Sequence, residues 1–119
     1  MKILIFGGDG YLGWPTAMFF AERGNDVFVI DNFVKKKIES EFGIKPLIPT
    51  KSLQERVKFW NEINQNKINF EVGDLLNYRF LNRVIESFLP DTIIHYAEQP
   101  SAPYSMSNRE RAAFTQYNN

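Results

Sequence analysis

The sequence predicts an α/β fold in which a parallel sheet carries helices on both faces. Three observations carry that prediction. Short apolar runs alternate along the chain with segments whose apolar residues recur at helical spacing, the order that joins parallel strands through right-handed crossovers. Gly7, Gly10 and Gly13 lie directly between the first run and the first helical segment, and Asp31 closes the second run 18 positions after Gly13.

Taken in order, Lys2 to Phe6 is a continuous apolar run bounded by glycine, as in a strand covered on both faces. From Tyr11 to about Arg23, Leu12, Thr16, Phe19 and Phe20 mark a helix face, with Gly24 as a stop signal. Val27 to Ile30 is the second strand. Phe33 to Thr50 reads as an irregular loop with at most a helical turn, carrying Lys35, Lys36 and Lys37 and broken by Gly43, Pro46 and Pro49. Ser52 then caps an amphipathic helix, with Glu55 placed for a capping box and Leu53, Val57, Trp60 and Ile63 on one face. Ile68 to Val72 is the third strand, Phe80 to Leu89 mark a helix closed by Pro90, and Thr92 to Tyr96 is the fourth strand. Pro100 and Pro103 predict an extended loop, with helix from about Ser105 onward. Four strands give an expected order of 3-2-1-4, with the fourth left as an open edge that invites pairing or aggregation.

Composition removes several function classes. Lys+Arg and Asp+Glu both number 14 in 119 residues, so no strongly basic surface for nucleic acid is expected. With no cysteine and the single His95, neither a disulfide framework nor a metal site is expected. No apolar stretch approaches the roughly 18 residues of a membrane helix, and no signal peptide is evident, so the expectation is a cytoplasmic protein with no membrane partner. The 15% aromatic content, with 11 Phe, predicts a core built largely from rings.

The glycine turn carries the chemistry. G-x-x-G-x-x-G between strand and helix serves a tight turn, close approach of a pyrophosphate to bare backbone, and close packing of helix on sheet. Unpaired N–H groups and the positive end of the helix dipole then face the phosphates, and Tyr11 and Leu12 join the three glycines in the expected cofactor set. Asp31 has about the 20-residue spacing of the carboxylate that accepts hydrogen bonds from an adenosine ribose, and its charge favours NAD over NADP. Lys35, Lys36 and Lys37 stand near the 2′ position, where they would soften that preference, although three adjacent lysines are more often a solvated surface. Asp74 and Leu75 stand where adenine is gripped, with helix capping as the plain alternative for Asp74.

Together the glycine turn, Asp31-Asn32, Gly73-Asp74-Leu75 and His95-Tyr96-Ala97 resemble the amino-terminal part of the extended short-chain dehydrogenase/reductases that act on nucleotide sugars. Within that epimerase/dehydratase superfamily, Glu98 to Met106, Gly7 to Tyr11 and Thr115 to Asn119 are most similar to the UDP-sulfoquinovose synthase family. The resemblance implies a partial Rossmann (doubly wound) domain over residues 1–119, the rest of the domain and the substrate domain being absent. It implies NAD as cofactor, and adds Asn32, Tyr96, Ala97, Glu98 and Asn118 to the cofactor set. Gln99, Ser101, Tyr104, Ser105 and Met106 are assigned to the substrate. The implied substrates are UDP-glucose and sulfite or a sulfite donor. Oxidation at C4 acidifies C5, water leaves C5 and C6, sulfite adds at C6, and the hydride returns. A homodimer is expected at full length, a role in sulfolipid or sulfated glycan biosynthesis is implied, and hydrolase is included among the expected activity classes.

Two departures stand out. Pro100 occupies a place where the family leads one to expect arginine. The Tyr-x-x-x-Lys pair of the superfamily is absent: four positions after Tyr11, Tyr78, Tyr96 and Tyr104 stand Pro15, Asn82, Pro100 and Asn108. No catalytic residue is therefore assigned, and the chain reads as the cofactor half of a longer enzyme, inactive alone. The alternatives are another nucleotide-sugar epimerase/dehydratase, or a nucleotide-binding module without turnover.

Overall fold

The computed structural model describes residues 1–99 and 101–119. Ten elements follow one another: β1 Lys2–Phe6, α1 Gly13–Glu22, β2 Asp26–Asp31, α2 Val34–Glu41, α3 Leu53–Ile63, β3 Ile68–Val72, α4 Tyr78–Phe88, β4 Thr92–His95, α5 Ala102–Met106 and α6 Arg109–Asn118. The sheet runs β3-β2-β1-β4 with every pairing parallel, as the alternation of elements predicts. β4 stands at one edge. Among the described residues, no helix is long and apolar enough to cross a membrane.

Both faces of β1 are buried because its side chains alternate. Ile3 and Ile5 pack with Val27, Val29 and Ile68 beneath α1 and α3, whereas Leu4 and Phe6 pack with Ile30 and Val84 of α4 on the other face. The fully buried core is aliphatic, with Phe6 and Trp14 its only rings among the described residues. This corrects the expectation of a ring-built core: β-branched and aliphatic side chains fill the narrow space over parallel strands. Phe28, Phe80 and Phe88 flank that core, and Phe59 and Tyr78 face solvent.

The buried face of α1 also differs from the expected one. Trp14, Ala17 and Ala21 face the sheet while Leu12 and Phe19 are about half exposed, because alanines let the helix lie close to the strands. In α3 the capping box is present: Glu55 N–H donates to Ser52 Oγ at 3.2 Å, and Ser52 N–H donates to Glu55 Oε2 at 3.0 Å. Leu53 and Val57 of its predicted stripe are buried, but Ile63 is exposed.

Two segments predicted as loops are helical. α2 replaces the first part of the irregular stretch after Phe33, started by the Asn32 side chain, which accepts from Val34 N–H at 3.0 Å, and supported by a Lys35–Glu39 pair at 3.7 Å. It buries no residue, so it lacks the apolar stripe that announces a helix. α5 forms where Pro103 predicts extended chain. Pro103 lies in its first turn, where a missing N–H leaves no bond unmade, and Ser101 caps it. Pro100 lies outside the described residues.

Candidate functional site

The carboxyl ends of β1, β2 and β3 and the turn after β4 border a cleft of about 870 Å³. The glycine turn forms its floor. Gly7 has φ +81°, and a Cβ there would stand 2.8 Å from the Tyr96 carbonyl carbon. A Cβ on Gly13 would fall 2.0 Å from Gly7 O. These two glycines are required by the protein's own packing. At Gly10 a Cβ would meet only Gly7 O, at 3.3 Å, so the space beside it is open to a ligand.

The amides of the turn divide in the same way. Gly7 and Gly8 N–H donate to Ile30 O, and Gly10 N–H donates to Gly7 O. Those of Tyr11, Leu12 and Gly13 have no acceptor among the described residues, and α1 has no side-chain cap. Orphan donors at a helix start are a ready anion site. The pyrophosphate fit therefore rests on the last three positions of the turn.

Asp31 ends β2 beside that site. Its Oδ2 accepts from Asp9 N–H at 2.9 Å and its Oδ1 from Phe33 N–H at 2.8 Å, leaving further lone pairs for ribose hydroxyls. Burial raises the Asp31 pKa above the usual carboxylate value, against the two backbone N–H groups that favour the ionised form. Asn32 Nδ2 donates to Asp74 Oδ2 at 3.2 Å, which links the ends of β2 and β3. Asp74 also accepts from Leu76 N–H, while Asn77 caps α4. Asp74 is thus free of the helix-capping alternative.

Of the residues predicted to hold the cofactor, Gly7, Gly10 and Tyr11 line the cleft from the first turn, and Asp31, Asn32 and Lys35 from the second. Asp74 and Leu75 border it after β3, and Tyr96, Ala97, Glu98 and Asn118 close it. Leu12 and Gly13 do not line it. Lys35 is largely solvated and pairs with Glu39.

The residues assigned to substrate are elsewhere. Gln99 is buried, its N–H donating to Asn119 Oδ1 at 2.7 Å and its Oε1 accepting from Ser101 N–H at 2.8 Å. Ser101 caps α5 and Ser105 Oγ donates to Ala102 O. The Tyr104 ring packs edge-on to Phe42 and Phe114, and Met106 is 82% exposed. None of the five lines the cleft.

Sequence reasoning gave no role to Asp9, Trp14 or Arg56, all of which line it together with Lys36, one of the three lysines expected near the 2′ position. Asp9 makes ion pairs with both Lys36 and Arg56, and the Arg56 guanidinium lies 5.0 Å from the Trp14 ring. The available signal was an acid inside a glycine turn, where small neutral residues suffice for the bend.

The whole arrangement fits a dinucleotide, and the comparisons with known proteins agree. Residues 3–118 match the model of the NAD dependent epimerase/dehydratase family. The chain is 41% identical over 99% of its length to the chloroplastic UDP-sulfoquinovose synthase of Spinacia oleracea, and 42% identical over its whole length to the UDP-sulfoquinovose synthase of Sulfolobus acidocaldarius. It spans 24% and 30% of those two proteins. In fold it is similar to the UDP-glucose 4-epimerase of Brucella ovis solved in complex with NAD, with TM-score 0.67 and 23% identity over 98% of this chain and 28% of that one. The expected hydrolase class is overturned by the family match: epimerisation and dehydration rearrange or remove groups on one carbon skeleton, whereas a hydrolase uses water to cleave a molecule in two. The chain belongs to the NAD dependent epimerase/dehydratase family, and its cofactor is NAD.

Proposed function

We propose that this chain is the cofactor half of an NAD-dependent nucleotide-sugar enzyme that makes UDP-sulfoquinovose from UDP-glucose and sulfite or a sulfite donor. The observation that carries the reading is the open space beside Gly10, followed in the turn by the unpaired amides of Tyr11, Leu12 and Gly13. Its narrowing to sulfoquinovose is supported by the 41% and 42% identities, taken over 99% and 100% of the chain.

In this reading the three amides hold pyrophosphate oxygens, and the ionised Asp31 accepts from the adenosine ribose. Asn32 and Asp74 keep the ends of β2 and β3 in register around adenine, with Leu75 against its face. Tyr96, Ala97, Glu98 and Asn118 exclude water from the remainder, and Lys35 screens the outer rim. Bound NAD supplies reversible hydride transfer at C4 of the sugar, so that water can leave C5 and C6 before sulfite adds. Gln99, Ser101, Tyr104, Ser105 and Met106 belong to the substrate side. Proton transfer falls to residues outside this chain, which lacks Tyr-x-x-x-Lys. In the same reading the full-length enzyme is a cytoplasmic homodimer.

The test is incubation of the full-length protein with NAD, UDP-glucose and sulfite, followed by chromatography and mass spectrometry of the sugar nucleotides. UDP-sulfoquinovose is the expected product. A 4-epimer or a 4-keto-6-deoxy sugar alone would assign it to another branch of the family, and bound NAD without turnover would make it a binding module.

A further inference from the structure

Asp9 stands between the glycine turn and two helices. Lys36 of α2 lies 3.0 Å from its Oδ1 and 2.8 Å from its Oδ2, and Arg56 of α3 donates to Oδ1 and, at 3.2 Å, to Asp9 O. The Asp9 side chain is only 9% exposed and that of Arg56 17%. Through its N–H, Asp9 also donates to Asp31 Oδ2. Two cations are thus held on one carboxylate immediately beside the residue read as the ribose acceptor.

We propose that Asp9, with Asp31, sets the preference for NAD over NADP by keeping Lys36 and Arg56 engaged and unavailable to a 2′-phosphate. The proposal rests on the cofactor reading above and adds a specificity residue to it. In dinucleotide folds an arginine near the ribose accommodates the 2′-phosphate. Here such an arginine is present, and a lysine with it, yet both are neutralised. Asp9 and Asp31 balance Lys36 and Arg56, so a phosphate of about two negative charges meets neither of these two cations unpaired. Replacing Asp31 alone leaves both cations on Asp9. Removing the Asp9 charge frees an ammonium and a guanidinium whose planar fork suits phosphate.

The experiment is calorimetric titration of the protein with NAD and with NADP. Asp9→Asn is expected to shift the affinity ratio toward NADP by at least about tenfold, more than Asp31→Asn does. Adding Arg56→Ala to Asp9→Asn should remove most of that gain. With Asp9 intact, Lys36→Met should leave NADP affinity within about twofold, a measurement that holds even if Asp9→Asn does not fold. An unchanged ratio in an Asp9→Asn protein that still binds NAD overturns the proposal, as does a tenfold loss of NADP affinity in Lys36→Met. In both cases the cofactor reading stands. Absence of NAD binding by the unaltered protein overturns the cofactor reading itself, and this proposal with it.

Discussion

The side of the cleft formed by β1, β2 and β3 and the segment after β4 are held by different kinds of bond. On the strand side the main chain bridges the strand ends: Gly7 and Gly8 N–H donate to Ile30 O at 2.8 and 3.1 Å, and Gly73 N–H to Asp31 O at 3.0 Å. After β4, side chains take over. Asn119 brackets Gln99, and Arg111 lies against the rings of Phe42 and Tyr104 while pairing with Glu41, whose side chain is 53% exposed. Partly exposed ion pairs contribute little, about 0 to 1 kcal/mol. A site fixed by strand ends is therefore set by local sequence, whereas the placement of Ser101 to Met106 depends on a few side-chain contacts.

The strongest way to break the comparison is through the turn. Gly13→Ala would place a Cβ 2.0 Å from Gly7 O, a backbone atom that cannot yield without moving β1 or α1. Urea unfolding should show a loss of about 1 to 3 kcal/mol or more; unchanged stability would mean the strand ends do not fix the site. Gly10→Val separates folding from binding, because its first carbon meets only Gly7 O, at 3.3 Å. Calorimetry should show NAD affinity reduced at least about 100-fold, roughly 2.7 kcal/mol, with a thermal midpoint near that of the unaltered protein. Retained affinity would remove the pyrophosphate from this turn.

A smaller effect is expected at Asp31. Asp31→Asn should cost about 1 to 3 kcal/mol of NAD affinity through loss of a charge-assisted ribose bond. Because burial raises the Asp31 pKa, affinity should fall as pH is lowered through that raised value, and the fall should be absent in the Asn variant. Stability has the opposite sign. Between the unfolded and folded pKa values the folded chain binds more protons, so Asp31 opposes folding fully above its folded pKa, and that penalty is relieved on acidification. Titrations and unfolding curves between about pH 4 and pH 7 would separate the two trends.

How much of this is legible in the sequence follows the same division. The four parallel strands, the glycine turn and Asp31 could be read because each rests on a short continuous pattern. The α2 helix could not, since it buries nothing, and the buried face of α1 was misjudged because Ala17 and Ala21, not larger residues, touch the sheet. Asp9 with Lys36 and Arg56 escaped because its partners come 27 and 47 positions later, from elements whose relative placement exists only once the sheet has assembled. Gln99 shows the converse. The family resemblance assigns it to the substrate, but its side chain accepts from Ser101 N–H.

The least perturbing test sharpens the second half of the comparison. Met106 is 82% exposed and outside the cleft, so Met106→Ala should change stability by no more than about 0.5 kcal/mol and NAD affinity by less than about twofold. If the segment acts on substrate, the same variant in the full-length enzyme should raise KM for UDP-glucose while NAD affinity holds. Weaker NAD binding would instead show that the segment closes over the cofactor, and the two sides of the cleft would have to be treated as one site.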